Sequence, residues 1–157
     1  MLKQVLETIW LLSPRSIRRW TMRVTNTRFT VTAAGIVMNM RGEVLLLRHR
    51  FRSGSGWGIP GGFLSSGEQP EAGLRRELRE EIGLELDTAQ LVSVRAFNKP
   101  QQVEIVFLAS TKGTALPQSM EIKGASWFAI DSLPEGLPSD QRSLIQHVLN
   151  DGAKHQD

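Results

Sequence analysis

Residues 62–84 have the sequence Gly62-Phe-Leu-Ser-Ser-Gly-Glu-Gln-Pro-Glu-Ala-Gly-Leu-Arg-Arg-Glu-Leu-Arg-Glu-Glu-Ile-Gly-Leu84, a glycine-rich loop followed by an acidic helix. Pro70 suits the first turn of that helix, where a missing N–H costs no hydrogen bond. Gly83 is expected to end the helix as a left-handed cap. Apolar residues recur every four positions and predict a stripe that packs on a sheet. These residues are Leu74, Leu78 and Ile82.

Three glutamates of this helix share one face, because Glu77, Glu80 and Glu81 are spaced i, i+3 and i+4. Like charges at these spacings destabilise an isolated helix by about 0.2–0.5 kcal/mol per pair. A hard divalent cation with oxygen ligands reverses that penalty. Taken alone, such a trio is most often a solvated face, since exposed charge is the rule for glutamate.

The wider pattern resembles the signature of the Nudix hydrolases, the Nudix box. Nine positions carry the match: Gly62, Glu68, Arg76, Glu77, Leu78, Glu80, Glu81, Gly83 and Leu84. With average residue frequencies, such a coincidence is expected on the order of once in ten billion starting points. The chain is therefore identified as a member of this family by resemblance.

The resemblance implies an α/β fold, an α/β/α sandwich with a mixed β-sheet and the box helix on one face. Periodicity alone supports only mixed α and β elements. The resemblance also implies hydrolysis of a pyrophosphate bond in a nucleoside diphosphate linked to another moiety, with Mg²⁺ or Mn²⁺ as cofactor. Water attacks a phosphorus atom, and bound metal turns carboxylates that would repel pyrophosphate into a platform for it.

Site roles follow from the same resemblance. Glu80 and Glu81 match the core metal ligands, and Glu77 matches a residue that binds a further metal or serves as the base. The backbone carbonyl of Gly61 matches another metal ligand. Arg76, with Glu68, matches a salt bridge that braces the loop against the helix. The residues expected in catalysis are thus Arg76, Glu77, Glu80 and Glu81.

A carboxylate outside the box is the less certain metal ligand. Glu121 lies six residues before Trp127 and resembles one such position in the family. Glu104 on the preceding predicted strand competes for this role. For each of them, a solvated surface charge is an equally simple interpretation.

Substrate contacts are expected from four residues beside the box: Arg48, Arg50, Arg52 and Trp57. Guanidinium groups pair bidentately with phosphates. Alternate residues of a strand share a face, so Arg48 and Arg50 can act together. A solvated strand face explains the arginines equally well, and aromatic residues such as Trp57 more often belong to a core.

The Nudix box predicts the type of reaction, but it does not identify the group that is linked to the nucleoside diphosphate. ADP-ribose or a nucleoside triphosphate is the favoured small-molecule nucleotide substrate. One alternative is removal of pyrophosphate from RNA 5′ ends. Another is a Nudix-fold module that senses a nucleotide without cleaving it, although such modules usually have a degraded box.

Charge divides the 157-residue chain unevenly: its net charge is +3, and residues 1–28 carry six basic residues against Glu7 alone. An amphipathic, basic helical extension is predicted over residues 1–27, followed by the Nudix domain over 28–151 and a polar tail over 152–157. The extension is expected to dock on its own domain or on a second subunit, as in a homodimer; contact with nucleic acid or an anionic membrane is the alternative.

Composition excludes some classes of protein. The chain has no cysteine, so disulfides, thiolate nucleophiles and cysteine zinc sites are excluded. No apolar run is long enough for a transmembrane segment, and a signal peptide is not evident at the N-terminus. A cytoplasmic location is expected. Outside the box, strands are predicted over residues 29–38, 44–50, 91–97, 103–109 and 124–130, and a last helix over 139–149.

Overall fold

The computed structural model describes residues 3, 14–16 and 28–154, the last four of these without their side chains. The predicted helical extension falls almost wholly outside the described residues, and so does the end of the predicted polar tail. The last helix, expected to end at Leu149, continues to Lys154. No proline interrupts residues 139–154, so no backbone constraint stops the helix earlier.

Seven strands form one mixed sheet: β1 (Thr30–Met38), β2 (Val44–His49), β3 (Trp57–Gly58), β4 (Gly61–Phe63), β5 (Thr88–Phe97), β6 (Gln102–Ser110) and β7 (Ile122–Phe128). Helix α1 spans Pro70–Ile82 and helix α2 spans Ser139–Lys154, with a 3₁₀ turn at Ile130–Ser132. The main strand order is β3-β2-β1-β6-β5, while β4 pairs with β1 and β7 pairs with β2. Among the strands of the described residues, only β1 and β6 run parallel, and the other pairs are antiparallel.

The hairpin expected between the first two strands is short. Met38 and Val44 are the paired residues at the turn, and β2 then follows β7 over its whole length. The reason is that β4 takes the place beside β1 at Thr32 to Ala34. By contrast, the antiparallel pairing expected between β5 and β6 is present.

The sheet is covered on both faces. Leu74, Leu78 and Ile82 of α1 pack against one face, as the apolar stripe predicts. Leu144 and Ile145 of α2 pack against the other. Because side chains alternate along a strand, β1 serves both layers, with Ala33 and Val37 facing α1 and Ala34 and Ile36 facing α2. The predicted α/β/α sandwich is confirmed.

Both ends of α1 follow the sequence signals. Pro70 occupies the first turn, and Gly83 adopts φ +65° at the C-terminal end, where its N–H donates to the carbonyl of Arg79 at 3.0 Å. Leu84 then returns to the core beneath the helix. Among the described residues, no helix is both long and apolar enough to cross a membrane.

Leu78→Ala is expected to destabilise the fold by about 2–5 kcal/mol, because Leu78 is fully buried between α1 and the sheet and its removal leaves a cavity. Chemical denaturation of the purified chain measures this loss. Leu91→Ala is the matched control, since Leu91 is 55% exposed, and its cost should stay below about 0.5 kcal/mol. Equal losses of stability in Leu78→Ala and Leu91→Ala would contradict the packing of α1 against the core.

Candidate active site

Two glycines bring β4 against α1 at the start of the box. Gly61 has φ +153°, and a Cβ there would lie 2.3 Å from the carbonyl oxygen of Ala33. At Gly62, a Cβ would lie 2.4 Å from Oε1 of Glu77. Any larger residue would therefore displace backbone at Gly61 or the carboxylate at Gly62. The glycines allow Glu77 to rest directly on the strand.

Arg76 connects the loop to the acidic face of α1. Its guanidinium binds both carboxylate oxygens of Glu68 at 2.8 and 3.0 Å, and it donates to the Phe63 carbonyl at 3.1 Å. It also reaches Glu77 at 2.9 Å and Glu80 at 3.2 Å. Hydrogen bonds from Arg76 and from the backbone of Ser65 lower the pKa of Glu68 to about 2, and Glu68 and Glu77 raise the pKa of Arg76. The bracing pair predicted from the resemblance is thus formed.

Glu81 differs from its neighbours, because its residue surface is only 8% exposed. Its Oε2 is buried without a hydrogen-bond partner. Burial raises the pKa of Glu81 to about 7, and the charges of Glu77 and Glu121 add to that effect. The positive charge of Arg52 opposes the shift. A buried, unsatisfied carboxylate oxygen is costly unless a cation or a donor compensates it.

These residues fit a divalent cation by their chemistry. All the side-chain atoms that could bind the metal are oxygens, which Mg²⁺ and Mn²⁺ prefer as ligands. The orphaned Oε2 of Glu81 and the mutual repulsion of the carboxylates are both relieved by positive charge. Within residues 28–150, no three acidic or histidine side chains already converge as a ligand set. Glu77 and Glu80 are instead engaged by Arg76, which serves as their counter-ion.

The loop after β6 brings Glu121 to this region. The carbonyl of Glu81 accepts hydrogen bonds from the N–H groups of Gln118 and Ser119 at 2.8 and 3.2 Å, which fixes the loop against the end of α1. Glu121 lines a cavity of about 250 Å³ with His49, Phe51 and Arg52. Burial and the nearby Arg52 lower the pKa of His49 to about 4. The structure therefore brings Glu121 within electrostatic reach of Glu81.

A second cavity, which we call the α2-side cavity, lies across β4 from Glu77 and has a volume of about 190 Å³. Gly61, Gly62 and Phe63 line its rim, and Arg52 belongs to both cavities. The Arg52 guanidinium packs over Gly58, where a Cβ would lie 1.7 Å from Nη1. Arg52 is thus the cation between the α2-side cavity and the carboxylates of α1.

The other predicted substrate contacts have local partners. Arg48 donates to the carbonyl of Ser55 at 3.3 Å, and Arg50 donates to that of Met120 at 2.8 Å. Trp57 makes an edge-on contact with Phe128 in the α2-side core, with ring centroids 5.2 Å apart. Their roles in substrate binding stay predictions, as do all the predicted metal-ligand roles, those of Gly61, Glu77, Glu80, Glu81 and Glu121.

Sequence reasoning did not find two polar residues that line the α2-side cavity, Gln102 and Gln141. It also did not find Arg95, which binds the cavity residue Glu104. Gln141 is buried and accepts a hydrogen bond from the N–H of Ile59 at 2.9 Å. Arg95 binds Glu104 and reaches Asp140 at 3.2 Å. The strand predicted over residues 103–109 left Gln102 outside it, and nothing local showed that α2 covers the face on which Gln102 and Glu104 lie.

Glu81→Gln should change how stability depends on pH. The folded-state pKa of Glu81 is raised from about 4.5 to about 7. The contribution of Glu81 to the stability of the wild type in metal-free buffer should therefore be greatest below about pH 4.5 and be lost as the pH rises through 7, a loss of up to about 3 kcal/mol. The variant carries no titrating group at this position and should lack this loss.

Denaturant unfolding at pH 5 and pH 8 with a chelator measures the effect as a gain for Glu81→Gln at the higher pH only. Glu135→Gln, at an exposed position, is the control and should follow the wild type. A gain of the same size at both pH values would show that the charge of Glu81 is not responsible.

Comparisons with known proteins agree with this geometry. A family model described as the NUDIX domain matches residues 28–148. The NAD-capped RNA hydrolase NudC of Pseudomonas aeruginosa is 37% identical over 118 residues, which are 73% of this chain and 41% of that protein. The MutT-like protein of Streptomyces ambofaciens is 33% identical over 126 residues, covering 80% of each chain.

A solved structure extends the likeness to the fold. The crystal structure of the MutT NUDIX hydrolase from Burkholderia pseudomallei is 28% identical and has a TM-score of 0.67, covering 78% of this chain and 99% of that one. The chain spans about two-fifths of the length of the NudC relatives that it matches. The family predicted from the sequence is confirmed: the chain belongs to the Nudix hydrolases.

Proposed function

We propose that this protein hydrolyses the pyrophosphate bond of a nucleoside diphosphate linked to a second group, with Mg²⁺ or Mn²⁺ as its cofactor. One observation carries the proposal: Arg52 lines both the α2-side cavity and the cavity of Glu121, between a ring-sized space and the carboxylates of α1. A substrate with a base at one end and a pyrophosphate next to it has this layout. A nucleoside joined to a second group through its diphosphate therefore suits the site, and ADP-ribose and NAD are examples.

The contacts of the site residues suggest a separate role for each of them. Glu77, Glu80 and Glu81, with the carbonyl of Gly61 and the side chain of Glu121, would hold the metal. When bound, the ion neutralises pyrophosphate charge and makes water a stronger nucleophile. Arg52 binds phosphate oxygens, for which a guanidinium is suited. Arg76 orients Glu77 and Glu80 through its hydrogen bonds to both of them.

The proposed reaction is hydrolysis of a P–O–P linkage. Water forms a new bond to one phosphorus atom, and the P–O bond to the bridging oxygen breaks. The bridging oxygen leaves with the other phosphorus atom, so the two phosphorus atoms end in separate phosphate groups. The proton released by water passes to a carboxylate or to solvent. Glu77, half-buried against Gly62 and bonded to Arg76, is one carboxylate able to accept it.

NAD attached to RNA is a second candidate substrate. Its support is the likeness to the NAD-capped RNA hydrolase NudC of Pseudomonas aeruginosa, which extends over part of that protein only. Binding of the RNA body would add phosphate contacts, whose strength falls steeply with salt. A fall in activity on NAD-capped RNA between 50 and 200 mM salt, absent on free NAD, would favour this candidate.

Hydrolysis of a substrate panel tests the proposal, with ADP-ribose, NAD, NADH, nucleoside triphosphates and NAD-capped RNA each supplied with Mg²⁺ or Mn²⁺. Turnover of at least one substrate is expected, and Glu80→Gln or Glu81→Gln should reduce kcat by about 100-fold or more, because each removes a ligand charge. Glu71→Gln lies on another face of α1 and should retain activity. If the folded protein binds metal but cleaves no substrate of the panel, the result would count against the proposed hydrolytic activity.

Arg52→Ala should lower kcat/KM by about tenfold or more, since a charge-assisted contact to phosphate contributes about 1.5–3 kcal/mol. Arg48→Ala is the matched control on the neighbouring strand, because Arg48 donates to the backbone of Ser55. Steady-state kinetics on the best substrate of the panel measure both variants. A larger loss of kcat/KM in Arg48→Ala than in Arg52→Ala would show that Arg52 is not the arginine that binds phosphate.

A further inference from the structure

The α2-side cavity has the size of a single ring system. Its volume of about 190 Å³ is below the roughly 300–1,000 Å³ of pockets that enclose a whole drug-sized ligand. Phe63 stands at its rim with 62% of its surface exposed, and Ile59 and Ala34 supply apolar wall. An exposed aromatic ring next to a small cavity is suited to stack on a flat heterocycle.

The polar side chains that line this cavity are Thr32, Arg52, Gln102, Glu104 and Gln141, and for the last two a hydrogen bond to a neighbour determines which atom is left for a ligand. Gln141 accepts the N–H of Ile59 through Oε1, so its Nε2 is the free end and can only donate. The bond also fixes the orientation of the amide, because a backbone N–H cannot bond to the NH₂ end. Glu104 takes the bonds of Arg95 on Oε2, which leaves Oε1 as an acceptor. Gln141 thus offers the cavity a directed donor, and Glu104 offers it a directed acceptor.

Neighbouring residues hold the acceptor rigidly. The side chain of Glu104 is 12% exposed and forms an ion pair with Arg95. Arg95 in turn reaches Asp140 in the first turn of α2 and lies 5.1 Å from the centroid of the Phe97 ring. A side chain fixed on several sides discriminates between ligands better than a mobile one, because it cannot turn away from a mismatched group.

A fitting ring must donate a hydrogen bond to Glu104 and accept one from Gln141. Adenine meets this requirement with its amino group beside a ring nitrogen, and the carboxamide of nicotinamide meets it with NH₂ beside C=O. Hypoxanthine and nicotinic acid carry an oxygen in place of that NH₂. An oxygen facing the Glu104 carboxylate leaves both groups without a donor, which is unfavourable in a largely desolvated site.

We propose that Glu104 and Gln141 determine substrate specificity by requiring an amino group on the ring that enters the α2-side cavity. The inference deepens the proposed function and rests on it for the orientation of the substrate. The ring is either the adenine or the nicotinamide carboxamide of a dinucleotide such as NAD. Both share the chemistry of an exocyclic NH₂ next to an acceptor, and the choice between them is left to measurement.

The test compares NAD with two analogues that each exchange one NH₂ for oxygen: nicotinamide hypoxanthine dinucleotide and nicotinic acid adenine dinucleotide. The wild-type protein should lose about tenfold or more in kcat/KM on one analogue, and that analogue identifies the ring. Glu104→Gln should reduce the discrimination to about threefold or less, because its amide can also donate to an oxygen. Glu135→Gln is the matched control: it makes the same substitution at an exposed position outside the α2-side cavity, so it should discriminate as the wild type does.

Calorimetric binding of the three dinucleotides to the Glu80→Gln variant with Mg²⁺ separates this inference from the proposed function. Discrimination in binding without turnover by the wild-type protein would support the amino-group requirement and count against hydrolysis. Hydrolysis of all three at equal rates would overturn the requirement and leave the proposed function intact. Equal affinities, absence of binding, or discrimination that survives in Glu104→Gln would also overturn it.

Discussion

The organisation of the site depends on the guanidinium of Arg76. It bonds to both oxygens of Glu68, to the carbonyl of Phe63, and to two carboxylates on its own helix. A planar fork with five donors can hold such a set in fixed directions, whereas a lysine could not. Without Arg76, the loop of residues 63–68 would lose its attachment to α1, and the neighbouring glutamates would repel each other without a counter-ion.

Burial of Glu81 is the cost that accompanies this arrangement. Its backbone carbonyl is bonded to the loop that carries Glu121, and one oxygen of its carboxylate is buried without a hydrogen-bond partner. A core leucine at this position would satisfy packing and remove the repulsion, so the acidic residue weakens the fold for the sake of the site. The two apolar layers on either side of the sheet supply the stability that permits such a residue.

Sequence reasoning succeeded where local rules decide the outcome. Pro70, Gly83 and the leucine stripe of α1 follow from backbone and amphipathic constraints that act within one helix. It missed features that depend on pairing between distant segments. The short β4 strand, which displaces β2 from β1, has only three residues and no periodicity to recognise. The network of Arg95, Glu104 and Asp140 joins β5, β6 and α2, and no spacing in the sequence brings these residues together.

The parallel pairing of β1 with β6 also has a consequence for how the chain folds during synthesis. Thr30 bonds to Gln101, 71 residues later in the chain, so the first strand emerges long before its central partner exists. Contacts of such long range slow folding, because a large loop must close before they can form. Until β6 has left the ribosome, the apolar residues of β1 lack their neighbour. The nascent chain is therefore vulnerable to aggregation while the segment that carries α1 is being made.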